Sequence, residues 1–219
     1  MASQKSTSQN TSVQPEPDLK RDEILKTEFE YAANSAFQAN EDRSKAASFF
    51  LVSVGSLIAA ILGVGNFSLS GNSLIGLAGI FFVLTLLGLL TVMQLVRLRQ
   101  AWIESAKVMN KIKDYYIKNF PELADEPNQS AGAFHWRTSS IPKPFKLQSV
   151  SFYTVMEVAL LSGLTFGAGI YYLLSSFMTC GFCQIIVWEF TISGAAVAFV
   201  VQLAVYIFIL SWDTKGDSK

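Results

Sequence analysis

The residues able to carry chemistry are few. Cys180 and Cys183 are the only cysteines, and they form one Cys-x-x-Cys, Cys180-Gly181-Phe182-Cys183. At a helix N-terminus such a pair can hold a thiolate of low pKa, because the positive end of the helix dipole stabilises the anion. Two thiols are too few ligands for a closed zinc site. The pair therefore reads as a redox centre, a structural disulfide or two plain loop thiols. Glu157 and Glu189 are the only charged residues between positions 147 and 212. A carboxylate inside hydrocarbon costs several kcal/mol unless it is paired, neutral or wetted, so each is a functional candidate. They sit near opposite ends of their segments and cannot share a proton or an ion within one chain. Each is expected to reach the headgroup region, and either would favour cations if it faced a pore. His135 is the only histidine, in Phe134-His135-Trp136-Arg137 with no carboxylate or thiol nearby, and reads as an interfacial polar residue. The chain contains no phosphate-cradling glycine loop, no Gly-x-Ser-x-Gly and no His-Glu-x-x-His. No metal site, cofactor or enzymatic activity is the expectation.

The elements that position these residues follow from how charge is distributed. Residues 46–96 contain no Asp, Glu, Lys or Arg, and residues 147–212 contain only the two glutamates. A soluble domain is about one quarter charged over its whole surface, so a water-soluble globular protein is excluded. Two cysteines exclude a disulfide scaffold, and a net charge of zero excludes a nucleic-acid binder recognised by bulk charge. A membrane-crossing helix needs about 20 apolar residues, because the hydrocarbon is ~30 Å thick and each residue rises ~1.5 Å. Each uncharged tract is right for two spans. The first breaks at Asn66–Asn72 and the second at Met178–Gln184, which predicts spans at about 47–66, 73–96, 152–177 and 185–211. The polar start and the length of the first tract exclude a removable signal peptide. The fold class is all-α: an integral, polytopic membrane protein with four transmembrane helices in two hairpins and helical cytoplasmic extensions.

Orientation follows from Lys and Arg. The two breaks carry no charge, while Lys45, Arg97, Arg99, Lys143 and Lys146 flank the spans on the other side. Both termini and the central segment are expected on the cytoplasmic side of the plasma (inner) membrane. Trp188 and Trp212 lie 24 residues apart, about 36 Å along a helix, and are expected to anchor span four at the two interfaces.

Residues 1–17 read as a disordered tail. Asp18 is placed to cap a helix with Leu25, Phe29, Ala32, Ala33, Ala36 and Phe37 on its inner face, running unbroken into span one as a rod over about 18–65. Beyond Arg97, the residues Leu98, Trp102, Ser105, Met109, Ile112 and Tyr116 form a heptad-like seam that ends at Phe120-Pro121. Region 18–120 thus comprises the juxtamembrane helix, the first hairpin and the second rod. The rods can pair with each other antiparallel, or across subunits. Residues 121–149 read as a proline-rich loop with Phe134, Trp136, Ile141 and Phe145 beside Lys143 and Lys146, fit to lie on an anionic leaflet or to serve as a linker. Region 150–219 comprises the second hairpin and a short tail.

Small residues recur at fourfold spacing: Gly55, Ala59 and Gly63 in span one, Gly163 and Gly167 in span three. Such strips let helix backbones approach closely and predict tight packing within the bundle or between subunits.

Two resemblances bear on function. The Cys-x-x-Cys at the outer start of span four resembles, over those four residues, membrane thiol oxidoreductases of the vitamin K epoxide reductase type. That implies electron transfer through Cys180 and Cys183, although the second thiol pair of such enzymes is missing here. The stretches Glu28-Phe29-Glu30-Tyr31-Ala32-Ala33 and Ala39-Asn40-Glu41-Asp42-Arg43, leading into a span hairpin and a long cytoplasmic helix, resemble small bacterial membrane effectors of the SLATT type in architecture over about residues 20–120. This resemblance implies oligomerisation into a membrane-disrupting pore on a cytoplasmic signal. The second hairpin departs from that two-span pattern. The expected function is non-enzymatic: self-association or binding of a membrane or cytoplasmic protein partner through the cytoplasmic helices, with the lipid bilayer as the other contact and no nucleic acid. A thiol oxidoreductase is the alternative, as is a small-solute transporter or channel subunit, although polar groups in the spans are few.

Overall fold

The computed structural model describes residues 16–63, 71–119, 149–177 and 183–216. Four helices follow one another: α1 (Glu16–Gly63), α2 (Gly71–Asn119), α3 (Val150–Phe177) and α4 (Cys183–Gly216). No strand occurs among the described residues. Each helix is long and apolar enough to cross a membrane, and the chain is an all-α, four-helix, multi-pass membrane protein. A helix of 48 residues such as α1 is about 72 Å long at ~1.5 Å per residue, more than twice the hydrocarbon thickness. It therefore continues beyond the bilayer without a break, as does the 49-residue α2.

The helix ends differ from expectation by a few residues. α1 starts at Glu16, so Pro17 falls in its first turn. Proline is tolerated there, since the first N–H groups have no intrahelical partner in any case. Asp18 consequently lies within that turn instead of capping it. α4 runs on to Gly216, five residues past the expected span.

α2 and α3 form the middle of the bundle, with α1 packed on α2 and α4 packed on α3. The core is built from Phe50 and Val54 of α1, Val92, Leu95 and Val96 of α2, Val155 and Val158 of α3, and Tyr206 and Leu210 of α4. Glycine controls the α3–α4 approach. A Cβ on Gly163 would meet the Ala195 carbonyl oxygen at 2.8 Å, and one on Gly167 would meet the Ala195 Cβ at 2.9 Å and the Thr191 carbonyl oxygen at 3.0 Å. These two glycines lie at the α3–α4 contact. The strip on α1 makes no such contact among the described residues. Gly55, Ala59 and Gly63 are all exposed, and a Cβ on Gly55 or Gly63 would meet nothing within 4 Å. α1 turns its other face to α2, because that is where its larger apolar residues Phe50, Val54 and Leu57 lie.

Outside the spans, α1 and α2 pair antiparallel within the chain, one of the two pairings the stripes left open. The Ser105 hydroxyl donates to Ser35 Oγ at 3.2 Å and the Tyr116 hydroxyl donates to Asp22 Oδ1 at 3.4 Å. Arg21 lies over the Tyr115 ring at 4.7 Å, and Lys113 over Phe29 at 5.7 Å. The buried line on α1 is Ala32, Ala36 and Ala39, and Phe37, expected inside, is 70% exposed. Small alanines let the rods come close, and Phe37 sits about 100° around the helix from Ala36, away from that contact.

Candidate functional site

The sequence-derived candidates do not converge. Glu157 and Glu189 are both exposed on the outside of the bundle, on different helices. Cys183 is the first residue of α4, and its side chain lies outside the described residues, as do all of Cys180, Gly181 and Phe182. His135 and the loop 121–148 lie outside them too. Trp188 is half-exposed and rests its ring on Tyr171 of α3, with centroids 5.3 Å apart. Trp212 falls in the helical range of α4, its side chain again outside the described residues. Among the described residues no group of three His, Cys, Asp or Glu is placed to hold a metal ion.

The polar groups that do converge come from all four helices, at the charge-rich end of the spans. The α1 line continues as Ala32, Ala36, Ala39, Arg43, Ala47, Phe50 and Val54, spaced by three or four and directed inward throughout, so Arg43 occupies a core position in an otherwise apolar series. On α2 the buried residues Val92, Arg99 and Ala106 are seven apart, so Arg99 occupies a core position too. Its neighbour Arg97, two residues away and therefore on the opposite face, is exposed. Arg43 and Arg99 meet at Ser151, in the first turn of α3. Arg43 Nη1 donates to Ser151 Oγ, and Arg99 Nη1 donates to the same oxygen at 3.3 Å. Arg43 Nη2 also donates to Asn40 Oδ1. Tyr206 of α4 is buried beside them, close enough to interact electrostatically with both guanidiniums.

No chain family identifies itself from this arrangement. Neither a protein-family model, nor a curated protein, nor a solved structure matches the chain. The site is therefore interpreted from its own chemistry.

That chemistry is a surplus of positive charge. Arg99 is 5% exposed and Ser151 is 2% exposed. Lys45 pairs with Glu41 at 2.7 Å, and among the described residues no carboxylate pairs with Arg43 or Arg99. Two like unit charges about 6 Å apart repel by roughly 3 kcal/mol at an effective dielectric of ~20. Burial holds both guanidiniums below the ordinary arginine value, and the Arg43 charge adds to this at Arg99. Both stay cationic at neutral pH, because a guanidinium is not deprotonated in proteins. The N-terminus of α3 adds the positive end of its dipole. Arg99 also stacks on Trp102, with Cζ 4.9 Å from the ring centroid. Stacking fixes the guanidinium plane and leaves its in-plane donors for other partners.

A second polar chain ties the helices deeper in the bundle. Gln202 Nε2 donates to Ser162 Oγ at 2.6 Å, the Ser162 hydroxyl donates to the Thr85 carbonyl at 3.1 Å, and the Thr85 and Thr165 hydroxyls lie 3.1 Å apart. It links α4, α3 and α2 across apolar surroundings, where such bonds act as interhelical glue. A groove of about 390 Å³ runs beside it between α2, α3 and α4, bordered by Phe82, Leu86, Phe166, Val197, Val201 and Gln202. Its lining is almost wholly apolar.

Sequence reasoning missed Arg43 and Arg99 as site residues and used only Arg99, for orientation. The signal was present: each continues the three–four spacing of an apolar core line, where a solvated arginine would fall on the opposite face.

Proposed function

We propose that the protein is a non-enzymatic component of the plasma (inner) membrane, with both termini cytoplasmic, that acts by associating with further copies or with a protein partner through its paired cytoplasmic rods. The observation that carries this reading is the unbroken passage of α1 and α2 from rod to span. A load on the rods is thereby transmitted to the spans, and the junction at Arg43, Arg99 and Ser151 is where α3 and α4 receive it. The rods also leave Ile24 and Tyr31, seven residues apart on one face of α1, 63% and 72% exposed. Both are apolar anchors of the kind a partner helix buries. The exposed Gly55, Ala59 and Gly63 strip suits contact between copies within the bilayer.

Light scattering on the detergent-solubilised full chain tests this reading. The expected result is an oligomer that the Ile24→Asp/Tyr31→Asp double variant reduces to monomer with its helical content unchanged. A wild-type chain that is strictly monomeric and captures no cytoplasmic partner through those residues overturns it.

A further inference from the structure

We propose that Arg43, Arg99 and Ser151 bind a phosphate group, carried by an anionic lipid headgroup of the adjoining leaflet or by a soluble phosphate compound. Three observations lead there. Arg99 is 5% exposed, yet its Nε and Nη2 have no hydrogen-bond partner. Buried guanidinium donors are ordinarily satisfied, because an unpaired buried charge is costly. The two orphan donors are not scattered: Nε–H and Nη2–H form the side-on edge of the guanidinium, the parallel pair that takes two oxygens of a phosphate or carboxylate at once. Nη1, on the other edge, is already engaged with Ser151.

Second, everything else at the junction has the same sign. Arg43 adds a second guanidinium and the start of α3 adds a helix N-terminus, which by itself favours anions. Ser151 Oγ accepts from both arginines, which leaves its own O–H to donate to a ligand oxygen. Tyr206 supplies another hydroxyl beside them. A dianionic or monoanionic tetrahedral group is matched by this set in charge and in donor number.

Third, the cluster lies at the right depth, and Arg43 within it is only half-buried. The level is the boundary between the uncharged spans and the charge-rich rods, where lipid phosphates lie and basic side chains meet them.

The proposal is independent of the association reading, since a monomer would bind as well, and light scattering on the same samples separates the two. The test uses the full chain, delipidated in neutral detergent, with native mass spectrometry and thermal unfolding as readouts. One arm adds dioctanoyl phosphatidylglycerol, against dioctanoylglycerol, which lacks the phosphate. The other adds inorganic phosphate and pyrophosphate without lipid. A response to phosphatidylglycerol alone assigns the site to a headgroup, and a response to the free anions assigns it to a soluble ligand. In either case Arg99→Gln and Arg43→Gln are expected to weaken binding at least tenfold. Arg99→Lys, which keeps the charge and loses the fork, is expected to weaken it severalfold, and Arg97→Gln to leave it unchanged. Arg43→Gln, at the half-buried position, carries the test if Arg99→Gln fails to fold. Equal retention of phosphatidylglycerol and dioctanoylglycerol with no response to free anions overturns the proposal, as does binding that is indifferent to both arginines.

Discussion

Ser162 joins α3 to both α2 and α4 through one hydroxyl. It accepts from Gln202, donates to the Thr85 carbonyl and lies against Gly88. Ser162→Ala strands the Gln202 amide in apolar surroundings, where Gln202 Oε1 already lacks a partner. The expected loss is about 1–2 kcal/mol, read as a lower unfolding temperature in detergent. Gln202→Leu in the same background should recover most of that loss, because removing both partners costs less than orphaning one. A further loss in the double variant would show that Gln202 acts through other contacts. At this scale the sequence was only partly legible. The uncharged setting of Glu157 and Glu189 was plain, and both proved to be on the outer surface. The arginine pair was not read as a site, although Arg99 continues the spacing of Val92, Val96 and Ala106 and Arg97 does not. What the spacing cannot supply is the partner: Arg43 and Ser151 reach Arg99 only once α1 and α3 pack on α2.

Among the elements, the two glycine strips make opposite predictions despite the same spacing. Gly163→Leu or Gly167→Leu drives a side chain into the α4 backbone at Thr191 and Ala195, and should destabilise the fold by more than ~2 kcal/mol, the scale of overpacking in a close-packed interior. A Cβ on Gly55 meets nothing within 4 Å, so Gly55→Leu should leave the unfolding temperature of the isolated chain unchanged while weakening contact between copies. Equal effects of the two substitutions would contradict the packing. The rods give a second prediction. With Cys180 and Cys183 replaced by Ser, the pair Ser35→Cys and Ser105→Cys should form a disulfide within one chain, since the native hydroxyls lie 3.2 Å apart. An electrophoretic band at dimer mass in place of a faster-migrating monomer would instead place the rod pairing between chains. Helix number and length were legible because absence of charge and apolar periodicity are properties of local sequence, whereas the stripes left open whether the rods pair within or between chains. Which face of α1 turns inward was not, since both an alanine line and a glycine strip are compatible with close packing, and the choice falls to where Phe50 and Val54 find partners.

For the molecule as a whole, four spans and rods shared by α1 and α2 place the start of α1 and the end of α4 on one side of the bilayer. On the proposed cytoplasmic orientation, tags at residues 1 and 219 should be digested together by protease added to inside-out vesicles and both survive in right-side-out ones, and protection of only one would contradict the four-span topology. The lateral order of the helices has a consequence of its own. The backbones of α1 and α4 do not approach one another among the described residues, so the four helices do not close into a ring around a lumen. Any conduction would therefore be expected to need a wall shared with a neighbouring copy, and a lone copy should be electrically silent.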